Sequence, residues 1–149
     1  MALLKSLLVP TDFSAPAAAA LDYAVELAEA TGAKIYLMHA FQLPIVGFPD
    51  GAMVASAELA SRITDAAQKS LADAASALAG RKVEIVTLLE QGDPRELVLA
   101  KAVDLGVDMI VMGTHGRRGI ARALIGSVTE GIVRTAPVPV LTVHERPPR

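Results

Sequence analysis

Short apolar runs alternate along the chain with longer stretches in which apolar residues recur every three or four positions, the periods of strands and helices. Residues 3–9 predict a first strand, stopped by Pro10. Ser14 then caps a helix with Pro16 in its first turn, where a missing N–H costs little. Ala20, Leu21, Ala24, Val25, Leu27 and Ala28 line one face of this helix, and Gly32 stands where a C-terminal cap belongs. Residues 34–40 predict a second strand, and residues 41–54, with Pro44, Gly47, Pro49 and Gly51, a loop. An Ala-rich helix follows over residues 55–79, then a third strand over 83–89. Asp93-Pro94-Arg95-Glu96 combines a cap, a proline in first position and an acid three residues after the cap, so it opens a helix ending near Gly106.

Met109-Ile110-Val111-Met112 is short, wholly apolar and bounded by Asp108 and Gly113, the signature of a strand buried on both faces. Ser127-Val128-Thr129-Glu130 reads as a capping box for a last helix running to about Thr135. The final strand spans residues 138–143, with Val138 and Val143 at its ends, and the tail 146–149 is expected to fray. Strands alternating with helices imply an α/β fold: a five-stranded parallel sheet with right-handed crossovers and helices on both faces. Ligands of such sheets sit beyond the carboxyl ends of the strands where the strand order reverses, here between the first and fourth strands. The loops to inspect are therefore 10–14 and 113–127.

Composition narrows the field. The chain has 149 residues, 52% of them hydrophobic, so it reads as one globular domain over 1–149 rather than a disordered segment. Fourteen basic against sixteen acidic side chains leave a net charge of −2, which argues against a general affinity for nucleic acid or anionic membranes. The absence of cysteine excludes disulfides, thiolate metal sites and thiol nucleophiles. The N-terminus superficially resembles a secretory signal, but the apolar run Leu7-Leu8-Val9 is too short and Asp12 interrupts it. No run approaches the roughly 18 apolar residues of a membrane span. These features read as a soluble, cytoplasmic protein.

The second loop carries the candidate chemistry. Gly113-Thr114-His115-Gly116 leaves the buried strand, Gly126-Ser127 opens the next helix, and Arg117, Arg118 and Arg122 lie between them. Glycines let main-chain N–H groups approach a ligand as an anion-binding nest, and a helix N-terminus adds roughly +0.5 of a charge. An oligophosphate suits this combination, with His115 a candidate to face it. The plainer alternative is that these glycines turn the chain and the arginines are solvated. His39 and His144 read as a half-buried strand-end residue and a C-terminal edge residue, and the histidine spacing predicts no metal site.

Gly113-x2-Gly116-x9-Gly126-Ser127 resembles the G-2x-G-9x-G-[ST] nucleotide motif of the universal stress protein family. The resemblance covers nearly the whole chain. Leu7 to Ser14 is similar to the family's first strand and turn, Asp108 to Gly116 to its fourth strand and loop, and Pro137 to Leu141 to its last strand. Thr114 departs from the serine common at its position but keeps a hydroxyl. The resemblance implies a flavodoxin-like sheet of strand order 3-2-1-4-5 that binds an adenine nucleotide. By position, Gly113, Gly116, Gly126, Ser127 and Val128 would wrap phosphates and ribose. Thr11 and Asp12 would reach the nucleoside, and Ala40 would lie against adenine. Pro10, Met112, His115, Arg117 and Thr129 complete the candidate binding positions. Asp12 keeps a second reading as a local turn former.

The expected ligand is ATP, with Mg²⁺ held through its phosphates rather than by protein side chains. A regulatory switch is expected, since no G-x4-G-K-[ST] lysine, no G-x-S-x-G elbow and no paired carboxylates are present for fast chemistry. Two other functions stay open. One is a nucleotide-independent interaction module, a homodimer paired through the last strand, as the resemblance also implies, with further protein partners unspecified. The other is a slow nucleotide hydrolase or phosphotransferase using Asp12 or His115. The loop 41–54 would leave the crevice side of the sheet, either as a flap over adenine or as a plain crossover.

Overall fold

The computed structural model describes residues 3–44, 56–114 and 125–145. Within them run β1 (Ser6–Pro10), α1 (Ala15–Thr31), β2 (Lys34–Phe41), α2 (Ala57–Ser76), β3 (Ile85–Gln91), α3 (Pro94–Asp104), β4 (Met109–Gly113), α4 (Ser127–Thr135) and β5 (Val140–Val143). All strand pairs are parallel, in the order β3-β2-β1-β4-β5. The order reverses between β1 and β4, which lie side by side with Leu7 opposite Met109 and Leu8 opposite Ile110.

The alternation of side chains along each strand sorts the core into two layers. Leu7, Val9, Ile35, Leu37 and Val111 point to one face and pack under α1 and α2 with Leu21, Val25 and Leu71. Leu8, Met38, Ile110 and Met112 point to the other, under α3 and α4 with Val98, Ala102 and Ile132. The central strands are therefore apolar at consecutive positions, as a sheet covered on both faces requires. No helix of the described residues is long and apolar enough to cross a membrane.

Several boundaries differ from the sequence expectation. The first strand starts at Ser6, not residue 3, and runs through Pro10. Its start is fixed by Asp108, whose carboxylate accepts from the amides of Lys5 (2.8 Å) and Ser6 (3.0 Å). Those two bonds hold the Asp108 carboxyl below its ordinary range. The Ala-rich helix is shorter at both ends. Ser56 caps it, and its last residues tighten into bonds from Leu78 to Ala75 and from Ala79 to Ser76. The third strand lies two residues later than expected, in step with β2, which extends to Phe41 opposite Gln91. The fifth begins at Val140, because Pro137 and Pro139 have no N–H to give a ladder. The frayed tail expected at 146–149 and most of the loop 41–54 lie outside the described residues.

A surface clamp ties the end of α1 to the turn before β3. Arg81 donates to both carboxylate oxygens of Glu29, each at 2.8 Å, and the Lys82 amide adds a third bond at 3.1 Å. These partners, the Arg81 guanidinium first, lower the Glu29 carboxyl from 4.5 to about 2. A carboxyl depressed in the folded state stabilises it above the unfolded value and stops doing so as pH falls through the folded one. Glu29→Gln is therefore expected to be less stable than the parent at neutral pH. In urea unfolding followed across pH, that difference should shrink from about pH 4.5 downward and vanish near pH 2. A difference independent of pH would contradict the clamp.

Candidate functional site

The carboxyl ends of β1 and β4 meet at the reversal point, and the two segments that leave them carry the candidate residues. After Pro10, which is half-buried, the Thr11 amide donates 2.8 Å to the Met38 carbonyl of β2. The Thr11 hydroxyl accepts from the Phe13 amide (3.0 Å), and Asp12 Oδ1 accepts from the Ser14 amide (3.0 Å). Asp12 therefore forms the local turn, and Ser14 caps α1 by accepting from Ala17 at 3.3 Å. The turn is tight enough to put Phe13 at φ 65°, a left-handed conformation that costs a bulky residue about 1–3 kcal/mol. A conformation of that cost persists only where its surroundings hold it.

Part of that hold comes from His39, which composition and spacing marked only as a half-buried strand-end residue. Its Nδ1 lies 2.8 Å from the Thr11 carbonyl oxygen, and its ring sits on Phe13 with centroids 4.5 Å apart. A tilted ring pair between the turn after β1 and the end of β2 has no periodic signature, so no sequence pattern could have paired them. Ala40 follows, half-buried, at the end of β2. His144 is exposed after β5, and no group of His, Asp and Glu suited to a metal exists among the described residues.

On the other side of the reversal point, Met112 is buried in the α3/α4 layer. Gly113 is buried, and a Cβ built on it would lie 2.8 Å from both the carbonyl carbon and oxygen of Pro16. The first turn of α1 thus rests directly on the end of β4, and that approach requires glycine without any unusual φ. The Thr114 amide bonds the Val143 carbonyl (3.2 Å), and the Gly126 amide returns to the Thr114 carbonyl at 2.7 Å. That bond brings the start of α4 to the end of β4. Thr129, also buried, fixes this approach of α4 to β4 by donating its hydroxyl to the Gly113 carbonyl at 2.9 Å. His115, Gly116, Arg117, Arg118 and Arg122 lie outside the described residues.

The cap of α4 corrects the sequence expectation. Gly126, not Ser127, is the N-cap, in an extended conformation and without a side-chain cap bond, and Ser127 is the first helical residue. The capping box at 127–130 is therefore not formed. Helix geometry leaves the first N–H groups without partners inside the helix, so the amides of Ser127, Val128 and Thr129 face the end where β4 delivers its loop. Ser127 and Val128 are exposed at this end. A glycine cap is a fit for an anion, since Gly126 brings no side chain of its own to the position a phosphate oxygen would take.

Residues 4–144 match the model of the universal stress protein family. Universal stress protein MJ0577 of Methanocaldococcus jannaschii is 27% identical over 95% of this chain and 96% of its own length. A universal stress protein of Thermus aquaticus is 34% identical over 94% of this chain and 98% of its own. Among solved structures, MJ0577 superposes with a TM-score of 0.81 at 25% identity, covering 99% of this chain and all of that one. A universal stress protein in complex with cAMP gives 0.71 at 25% identity, over 97% of this chain and 100% of that one.

Proposed function

The chain belongs to the universal stress protein family, and from that premise we propose that it is a regulatory protein of the stress response that binds ATP at the reversal point of its sheet. The observation that carries this reading is the start of α4. A glycine cap without a side-chain bond places a helix N-terminus beside the end of β4. The similar fold solved with cAMP supports an adenine nucleotide as ligand.

The phosphates lie against the main-chain amides of the 113–128 segment, with Gly113, Gly116, Gly126, Ser127 and Val128 around them and Arg117 and His115 nearby in sequence. Thr129 anchors the helix start, and Met112 and Pro10 back the site from the two strand ends. Asp12 accepts from a ribose hydroxyl, Thr11 completes that edge, and adenine lies against Ala40. Mg²⁺ neutralises phosphate charge and is held by the phosphates. Occupancy changes which partners the protein meets, and any hydrolysis is slow, since the motif supplies no phosphate-gripping lysine. A thermal melt tests the reading: a ligand at a hundredfold excess over its Kd adds about 2.7 kcal/mol, or roughly 5–10 °C at this size. Asp12→Ala should weaken Mg·ATP roughly tenfold by removing a charged hydrogen bond. An unchanged melt at millimolar Mg·ATP would contradict the proposal.

A second reading rests on β5, an edge strand in the sheet order. Its bonds to β4 use the carbonyls of Pro139 and Val143, so the backbone groups of residues 140 and 142 turn outward. Two copies pair there antiparallel about a twofold axis, and the edge is covered. Thr142→Pro removes an outward N–H and leaves the bonds to β4. By sedimentation the parent should be a dimer and this folded variant a monomer. A dimer that survives the proline would contradict this interface.

A further inference from the structure

The geometry points to His39 as the residue that positions Asp12 and Ala40 relative to each other, and so sets the nucleoside end of the pocket; this rests on the nucleotide reading above. Two consecutive residues of β2 grip Thr11 at both ends. The Met38 carbonyl accepts from the Thr11 amide at 2.8 Å, and His39 Nδ1 lies 2.8 Å from the Thr11 carbonyl. A carbonyl oxygen only accepts, so Nδ1 carries the proton and donates. The next residue along β2 is Ala40, and the next along the β1–α1 turn is Asp12. The distance between the proposed adenine contact and the proposed ribose contact is thus fixed by the bond between their immediate neighbours.

The same side chain supports the strained step that follows. Phe13 stands at φ 65° with its ring on the imidazole, 4.5 Å between centroids at 47°. Its amide is bound to the Thr11 hydroxyl and the Ser14 amide to Asp12 Oδ1. With His39 shortened, the Thr11 carbonyl loses its donor and Phe13 its ring partner. The turn is then free to relax toward ordinary φ, which carries the Asp12 carboxylate away from Ala40. His39 touches no phosphate in this scheme and acts through Thr11 and Phe13.

Asparagine at this position places its amide nitrogen where Nδ1 stands, whereas alanine places nothing there. Two readouts separate the positioning claim from the nucleotide reading. The first needs no ligand: amide hydrogen exchange at Phe13 and Ser14 in parent, His39→Ala and His39→Asn. The alanine variant should exchange at these two amides roughly tenfold faster, with amides of β4 unchanged, and asparagine should restore most of the protection. The second is calorimetry with Mg·ATP, where His39→Ala should weaken binding roughly fivefold and His39→Asn about twofold or less. A nitrogen-15 spectrum should show His39 protonated at Nδ1 in the parent. Unchanged exchange at Phe13 and Ser14 in His39→Ala overturns the positioning claim whether or not nucleotide binds. Faster exchange with unaltered ATP affinity overturns its link to the pocket. Faster exchange in His39→Ala, with a parent that binds no ATP, leaves the clamp standing and removes the nucleotide reading.

Discussion

Gly113→Ala is expected to lower stability by about 2 kcal/mol, which at this chain length is a loss of roughly 4–8 °C in melting temperature. Two effects oppose each other at this position. Alanine in an extended segment is intrinsically favoured over glycine by about 0.5–1 kcal/mol. Against that, the added Cβ meets the Pro16 carbonyl carbon and oxygen at 2.8 Å, and both are backbone atoms at the first turn of α1. They move only if the helix moves, and the helix is pinned across the sheet by Ala17, Ala20, Leu21 and Val25. The clash therefore wins. Gly131→Ala is the internal control, since its Cβ would meet the side chain of exposed Arg95 at 2.5 Å. That chain can swing aside, so the helix propensity of alanine should leave this variant as stable as the parent or slightly more so. Equal melting temperatures for parent and Gly113→Ala, measured by calorimetry, would contradict the close approach of α1 to β4.

Gly126→Asp should stabilise the fold and abolish nucleotide binding at once. The Gly126 backbone is already in the extended conformation of an N-cap, at φ −60° and ψ 155°, and makes no side-chain cap bond. An aspartate there accepts from the first free amides of α4 and complements the helix dipole, a gain of about 0.5–1 kcal/mol. The same carboxylate occupies the place proposed for a phosphate and repels it. Like charges brought together cost several kcal/mol, enough to reduce affinity roughly a hundredfold or more. A higher melting temperature without ligand, combined with no shift on adding Mg·ATP, is the expected pair of results. A variant that is more stable and still binds ATP as the parent does would move the phosphates away from α4.

The layers were legible because the central strands state them directly, whereas the strand order came from the resemblance to the family. Leu7-Leu8-Val9 and Ile110-Val111-Met112 are apolar at successive positions, which only a sheet covered on both faces tolerates. Asp93-Pro94 and Ser14-Pro16 fixed two helix starts correctly. The limits of β3 and β5 differ from the sequence expectation, because strand limits depend on the neighbour's register and on which prolines still offer a carbonyl. The capping box expected at Ser127 does not form because Gly126 accepts the extended cap conformation itself, leaving serine inside the helix. The reversal point and its two loops followed from topology. The contacts that shape them did not: His39 with Thr11 and Phe13, Thr129 with Gly113 and Gly113 with Pro16 join residues far apart in sequence. Such pairings have no local period for a pattern to reveal.

Amide resonances followed during a titration with Mg·ATP address the central claim most directly, since they report both whether the nucleotide binds and where. The largest shifts are expected at Thr11, Asp12, Ala40 and the start of α4 from Gly126 to Thr129, with the Glu29–Arg81 clamp at the opposite end of the sheet silent. Resonances that stay fixed to millimolar nucleotide, or that move around Arg81 instead, would contradict it.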